Sequence, residues 1–286
     1  MDIRLVAIDV DGTLLKTDKT LSSATARAIR RASARGVEVV LSTGRIYVEF
    51  APLLTMLPTI RYAVSCTGAS VLDCRTREEL FSAPLPLEQA RRAWRILREF
   101  DCLYEVFQDG MIFVEEEKAG LALHYMEPAG NVDTACFRQG KPDFDHWIET
   151  QERPISKLHL YFRENSERDR ALEALAGEDA YICTSNPFDM EVMARGVDKG
   201  TGLSQLAAYL GLEPSQVMAV GDSGNDVGMM EFAGVRAVMA NGETELKELA
   251  DILTDSNDRD GVAKLLDALV LGQLGPGRRV AGHCRH

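Results

Sequence analysis

Short apolar runs, each closed by acids, hydroxyls or glycine, alternate with helix-length segments at both ends of this chain. Strands alternating with helices predict a parallel sheet covered on both faces, an α/β core with a Rossmann-like arrangement. Residues 3–8 form the first apolar run and end in acids. Residues 23–35 predict a helix, capped by Ser22 or Ser23 and stopped by Gly36. Residues 37–41 are the second run, ending at Ser42-Thr43-Gly44-Arg45, and 61–66 the third, ending at Thr67-Gly68-Ala69. The rhythm returns late in the chain. A helix over 201–210 sets Leu203, Leu206, Ala207 and Leu210 on one face, and a strand over 217–220 ends at Gly221-Asp222. Helices over 227–232, 243–250 and 261–270 then alternate with strands over 235–239 and 252–254.

The middle reads differently. A helix over 86–100 carries Leu87, Ala90, Trp94, Leu97 and Phe100 on one stripe. Two runs, 103–107 and 111–114, flank Gln108-Asp109-Gly110, a hairpin signal. Residues 157–162 alternate like a half-buried strand, 166–176 predict a helix, and 181–184 and 190–193 further strands. Hairpins with helices predict an α+β insert, a cap domain over 85–190. It interrupts a core made of 1–84 and 191–270. Pro84 and Pro86 mark its entrance, and Asn186-Pro187 lies near its exit. Residues 271–286 are rich in Gly, Pro and Arg and predict a flexible tail.

A net charge of −12 repels nucleic acid backbones, so no nucleic acid partner is expected. No run approaches the ~18 apolar residues a membrane span needs. The six cysteines contain no Cys-x-x-Cys pair, which argues against zinc. They predict reduced, mostly buried thiols in a cytoplasmic protein, for which the start of the chain offers no signal-peptide pattern.

The chemistry concentrates at the ends of the apolar runs. In Asp9-Val10-Asp11-Gly12-Thr13, side chains two apart on a strand point the same way. Both carboxylates then face one site at the strand's C-terminal end, where open parallel sheets bind ligands. Read alone, the motif is equally an acidic turn. Gly221-Asp222-Ser223-Gly224-Asn225-Asp226 follows another strand and adds two carboxylates and an amide, although a capped turn would read the same way. Together, four carboxylates at neighbouring strand ends repel, each pair by about 4 kcal/mol at 4 Å and an effective dielectric of 20. All-oxygen ligands point to a hard cation, and magnesium fits. Lys199 is a second compensator, or else a surface lysine before a helix. Thr43 and Gly44 offer a hydroxyl and amides to an anion. Arg45 either supports the site or sits in the first helical turn.

In this order, Asp9-x-Asp11-Gly12-Thr13, Thr43-Gly44-Arg45, Lys199 and Gly221-Asp222-x-x-Asn225-Asp226 resemble the haloacid dehalogenase-like phosphatases. The likeness is stronger to their Cof-type branch, with a large α/β cap of type IIB between the second and third motifs. It covers about residues 1–270, with further echoes at 196–200, Asn241 and 257–262. The resemblance implies that Asp9 is the nucleophile and a metal ligand. Asp11 is the general acid and base, its carbonyl touching the metal. Thr43, Gly44, Lys199 and Asn225 hold the phosphoryl group, Asp222 ligates magnesium, and Asp226 supports the metal shell. The family often has Asn-Gly-Ala where this chain has Thr67-Gly68-Ala69, which removes an amide from that position.

The implied function is magnesium-dependent hydrolysis of a small phosphomonoester, a sugar or cofactor phosphate, through a phosphoaspartate. The partner is then a small phosphorylated metabolite, with the chain a monomer or small homo-oligomer. Two rivals are a phosphotransferase or mutase with the same nucleophile, and a non-catalytic phosphate-responsive binding protein. The latter needs no general acid. His124 and His159 read as structural or surface residues, His146-Trp147 as a packed corner, and Glu115-Glu116-Glu117 as a solvated helix start.

Overall fold

The structure is a computed structural model that describes residues 2–130, 132–274 and 279–280. The chain divides into two compact units: unit 1 is Met1–Arg45, Phe50–Phe81 and Asp198–His286, and unit 2 is Ile46–Glu49 and Ser82–Val197.

Unit 1 is built on one sheet. Its strands are β1 (Leu5–Ile8), β2 (Glu38–Ser42), β3 (Tyr62–Ser65), β4 (Ser70–Asp73) and β5 (Glu78–Ser82), then β12 (Val217–Gly221), β13 (Val235–Val238), β14 (Ile252–Thr254) and β15 (Arg279–Val280). Their order across the sheet is β15-β14-β13-β12-β1-β2-β3-β4-β5. β1 lies parallel to both β2 and β12, with Ile8 opposite Leu41 and Val220. Every residue of β1 and β12 is buried, which is why these strands read as continuous apolar runs. Leu203, Leu206 and Ala207 of helix Lys199–Tyr209 share one core with Leu5, Ala7 and Val40. Each leucine or valine so buried contributes about 1.5–3 kcal/mol. The helix over Ser23–Ala34 is capped by Ser22, whose Oγ accepts from the Thr25 N–H at 3.0 Å.

Two features of this sheet lie outside the sequence expectations. β4 runs antiparallel to β3, and β5 follows it to the sheet edge. Of residues 271–286, expected as a flexible tail, Arg279–Val280 pair in parallel with β14. Residues 275–278 and 281–286 lie outside the described residues.

Unit 2 holds the sheet β10-β11-β9-β6-β7-β8. Its strands are β6 (Cys102–Gln108), β7 (Met111–Glu115), β8 (Arg138–Lys141), β9 (Lys157–Phe162), β10 (Ala180–Cys183) and β11 (Asp189–Ala194). All its pairings are antiparallel except β7 with β8. β6 and β7 are joined by Asp109 and Gly110 at φ 53° and 72°, the left-handed pair that an Asp-Gly hairpin needs. One face of the sheet, with Tyr104, Val106, Leu158, Leu160 and Met190, packs against Trp94, Phe144 and Ile148. On the opposite face Leu103 and Tyr161 pack against Ala122, Tyr125 and Met126. The alternation in 157–162 suggested a half-buried strand, yet all six residues of β9 are buried. Lys157 tolerates burial because Glu191 of β11 accepts from its Nζ at 2.7 Å.

Cys66, Cys74 and Cys102 are buried, Cys183 is half-buried and Cys136 is exposed, and Cys284 lies outside the described residues. Among the described residues no helix is long and apolar enough to cross a membrane.

Candidate active site

The register of β1 with β2 and β12 puts three chain segments at one edge of the unit 1 sheet: Asp9 to Thr13, Thr43 to Arg45, and Asp222 to Asp226. The chain turns sharply at Gly12, where φ is +82° and an added Cβ would lie 2.3 Å from Asp222 Oδ2. Only glycine fits there, so the first loop can lie directly on the second acidic motif. Thr13 locks the pair by donating its hydroxyl to Asp222 Oδ1 at 2.6 Å. Asn241 Nδ2 donates to the Gly12 carbonyl and Asn257 Nδ2 to the Leu15 carbonyl, while the Asn257 N–H donates to Asn241 Oδ1.

Lys199 is fully buried, not a surface lysine, and is the first residue of its helix. Its Nζ donates to Asp9 Oδ1 at 2.7 Å, Asn225 Oδ1 at 2.8 Å and Asp226 Oδ1 at 2.6 Å. Burial opposes its charge, but Asp226 and Asp9 outweigh burial and hold its pKa well above the ordinary lysine range. Asp226 uses its other oxygen to accept the N–H groups of Asp222 and Ser223, fixing the loop. Oxygens of Asp9, Asp222 and Asp226 lie within 4.8 Å of one another. Burial pushes Asp9 well above the carboxylate range against the pull of Lys199, with Asp226 and Asp222 adding to it. Burial and then Asp226 push Asp222 up to about 7. One lysine therefore does not neutralise this cluster, and an all-oxygen set short of positive charge fits a hard divalent cation.

Asp11 stands apart from that cluster. Arg45 Nε and Nη2 grip its two oxygens at 2.8 Å each, and Lys19 Nζ donates to Oδ1 at 2.8 Å. Burial raises its pKa, but Arg45 and then Lys19 outweigh it and hold the carboxyl far below its usual range. Two cations at this distance favour the ionised form of Asp11. Thr43 is buried at the end of β2, where its Oγ1 accepts the Arg45 N–H at 3.1 Å, and Gly44 lies between them. The loop after β3 packs on the start of the Lys199 helix: a Cβ on Gly68 would lie 1.7 Å from the Asp198 carbonyl oxygen.

A family model described as haloacid dehalogenase-like hydrolase matches residues 6–266. The chain belongs to this family. This haloacid dehalogenase-like hydrolase is 31% identical over 278 residues to a Streptococcus pyogenes protein, covering 95% of this chain and all of that one. It is 28% identical over 275 residues to the 5-amino-6-(5-phospho-D-ribitylamino)uracil phosphatase YcsE of Bacillus subtilis, covering 95% of this chain and 97% of the relative. With the pyridoxal phosphate phosphatase YbhA of Escherichia coli it shares 26% over 287 residues, 93% of this chain and 98% of that one. Among solved structures, a haloacid dehalogenase-like hydrolase from B. subtilis superposes with a TM-score of 0.81 at 25% identity, covering 93% of this chain and 100% of the other. A subclass IIB sugar phosphatase shares the fold, with a TM-score of 0.79 at 19% identity over 95% of this chain and 100% of that one. The hydrolase is an enzyme, a phosphatase.

The geometry brings together Asp9, Lys199, Asp222, Asn225 and Asp226 as one hydrogen-bonded group, with Thr43 and Gly44 on the adjacent strand end. Two contributors escaped sequence reasoning. Lys19 lies in a polar Thr-Asp-Lys-Thr turn at φ 62°, and no spacing marks it. Thr13 belongs to the first motif, yet its hydroxyl bond to Asp222 spans 209 positions and becomes visible only in the fold.

Proposed function

We propose that this phosphatase hydrolyses a small phosphomonoester, a sugar or cofactor phosphate, with Asp9 as nucleophile and magnesium as cofactor. The observation that carries the reading is the Asp9–Lys199–Asp226 hydrogen-bonded core with Asp222 beside it, buried and short of positive charge. Asp9, Asp222 and Asp226 would hold magnesium, with the Asp11 carbonyl contributing. The bound ion supplies charge neutralisation for the phosphoryl oxygens and lowers the carboxyl pKa values around it.

The residues divide the work. In the first step an Asp9 oxygen attacks phosphorus, the P–O bond to the leaving alcohol breaks, and that alcohol takes a proton from Asp11. In the second, Asp11 takes a proton from water, the water oxygen attacks phosphorus, and the bond to Asp9 breaks. Splitting one displacement into two easier ones is the gain of covalent catalysis. Lys199, Thr43, Gly44 and Asn225 orient the phosphoryl group. Arg45 and Lys19 favour the ionised Asp11 of the second step, so the first step requires that grip to loosen. The activities of the YcsE and YbhA relatives on small phosphorylated molecules support the substrate class.

The test is phosphate release from a panel of phosphorylated metabolites and an aryl phosphate, with magnesium and with chelator. Magnesium-dependent release supports the reading. Full activity after exhaustive chelation, or phosphate passed only to a second sugar, overturns it.

A further inference from the structure

The edge of the unit 1 sheet opposite the acidic cluster carries polar groups of its own. β2 starts at that edge with Glu38, roughly 16 Å along the strand from Thr43. A cavity of about 430 Å³ opens there, a size that suits a small organic molecule. Its lining includes Arg30 and Ser33 from the last turns of the helix Ser23–Ala34, Glu38, Thr59 ahead of β3, and Arg75 just past β4. None of these residues takes part in the candidate active site.

One side of the cavity is positive. Among the described residues, the guanidinium groups of Arg30 and Arg75 have no hydrogen-bonded or ion-paired carboxylate. Their neighbours are committed elsewhere: Arg31 Nη2 lies 2.6 Å from Asp267 Oδ1, and Arg61 Nη2 lies 2.8 Å from Asp73 Oδ2. Two uncommitted guanidiniums at one cavity attract an oxyanion, even on a chain of net charge −12.

The other side is negative. A helix ends at this cavity, and a helix C-terminus carries negative partial charge. Glu38 is half-buried, and its carboxylate accepts no hydrogen bond among the described residues. Burial raises its pKa against the pull of Arg61 and Arg75, as befits a carboxylate short of donors. Thr59 Oγ1 is buried without a hydrogen-bond partner, which is a cost to the fold alone. A molecule that satisfies both sides brings an oxyanion for the arginines and a donor for Glu38. A plain anion meets the Glu38 charge, and a plain amine leaves the arginines uncompensated.

We propose that this cavity is a second binding site of the enzyme, separate from the candidate active site, for a small amine-bearing organic acid whose oxyanion pairs with Arg30 and Arg75 and whose ammonium donates to Glu38. Guanidinium pairs bidentately with a carboxylate or with a phosphorus oxyanion, so either group serves. The assignment does not depend on the phosphatase chemistry.

The experiment is titration calorimetry of the full-length protein with 2-aminoethylphosphonate, β-alanine, ethylphosphonate and propionate. The last two are the first two without the ammonium, and none of the four is a phosphomonoester, so turnover does not interfere. At least one of the amine-bearing probes is expected to bind at one site per chain, about tenfold or more tighter than its amine-free counterpart. Which of them binds identifies the oxyanion. The double variant Arg30→Gln, Arg75→Gln should weaken that probe by about tenfold or more, and Glu38→Gln should erase its advantage over the amine-free counterpart. Both arginines are exposed, so the double variant should fold, as checked by circular dichroism, and should keep its kcat/KM for para-nitrophenyl phosphate. The assignment is overturned if neither amine-bearing probe saturates, if the amine-free counterparts bind equally well, or if the folded double variant binds with unchanged affinity. A double variant that loses aryl phosphate hydrolysis together with binding also overturns it, because the two sites are then not separate. A wild-type protein without aryl phosphate hydrolysis defeats the phosphatase reading alone, and the four titrations still decide the second site.

Discussion

Asp9 and Asp222 carry a consequence that a solution experiment can read. Both carboxyls are raised in the folded chain, Asp222 to about 7 from an ordinary value of 3.8. Between those values the folded state binds more protons than the unfolded one, so stability without metal falls as pH rises through this window. A divalent cation must displace those protons to bind and therefore reverses the trend. The thermal midpoint gained on adding magnesium should be larger at about pH 8 than at about pH 5. An equal gain at both, followed by scanning calorimetry, would show that these carboxyls do not hold the ion. Substitutions separate the roles further. Asp9→Asn should abolish turnover, and beryllofluoride should fail to become trapped on it. Asp11→Asn should keep phosphate and metal binding but lose about 10²–10⁴-fold in kcat. Lys199→Met removes the ammonium that Asp9 and Asp226 share and should cost about 3–5 kcal/mol, measured by urea unfolding in chelator.

At the scale of elements, the loop after β3 shows how the site is held. Cys66, Thr67 and Gly68 all have left-handed φ, at 50°, 54° and 97°. Such strain in a β-branched residue costs about 1–3 kcal/mol and persists only where its surroundings fix it. Here the Thr67 N–H donates to the Thr43 carbonyl, and Gly68 lies against the Asp198 carbonyl at the start of the Lys199 helix. Gly68→Ala should push that helix start away, lowering kcat more than it raises KM, with about 1–3 kcal/mol of overpacking in the unfolding curve. An unchanged kcat in a folded Gly68→Ala protein would mean that the loop does not position Lys199. Much of the scaffold is legible in the sequence because it is apolar. β1 and β12 are buried runs that end in acids, and β14 and helix Gly261–Val270 fall on the residues that periodicity marks. The site is legible because its acids follow such runs. β8 is not, since Arg-Gln-Gly-Lys has no apolar period, and its Arg138 is buried only by virtue of Glu105 and Glu49. β4 and β5 escape for a related reason: half-polar strands at a sheet edge carry little hydrophobic signal.

Across the whole molecule, the residues proposed for the chemistry fall in one of the two units. Asp9, Asp11, Thr43, Gly44, Arg45, Lys199, Asp222, Asn225 and Asp226 all belong to unit 1, as do Thr13, Asn241 and Asn257, which brace the loops. Unit 2 contributes a separate hydrophobic core and the acid-lined face around His159. Phosphate is the group every phosphomonoester shares, and the residues suited to it need nothing from unit 2 to form their hydrogen bonds. The group that differs between substrates needs a surface that can differ, and an inserted unit can vary without disturbing β1 or β12. Joining Phe81 to Asp198 by a short linker removes Ser82–Val197 and tests this division. The shortened chain should fold, as judged by circular dichroism, because its sheet retains β1 to β4 and β12 to β14 with their helices. It should hydrolyse a small aryl phosphate slowly and still require magnesium. If unit 2 sets the choice of substrate, the shortened chain's kcat/KM values for different sugar phosphates should converge. Retention of the parent ranking by a folded core would place specificity in unit 1 loops such as Thr67 to Ser70. Loss of aryl phosphate hydrolysis in a folded core would instead show that the catalytic residues of unit 1 depend on unit 2 for the chemistry itself.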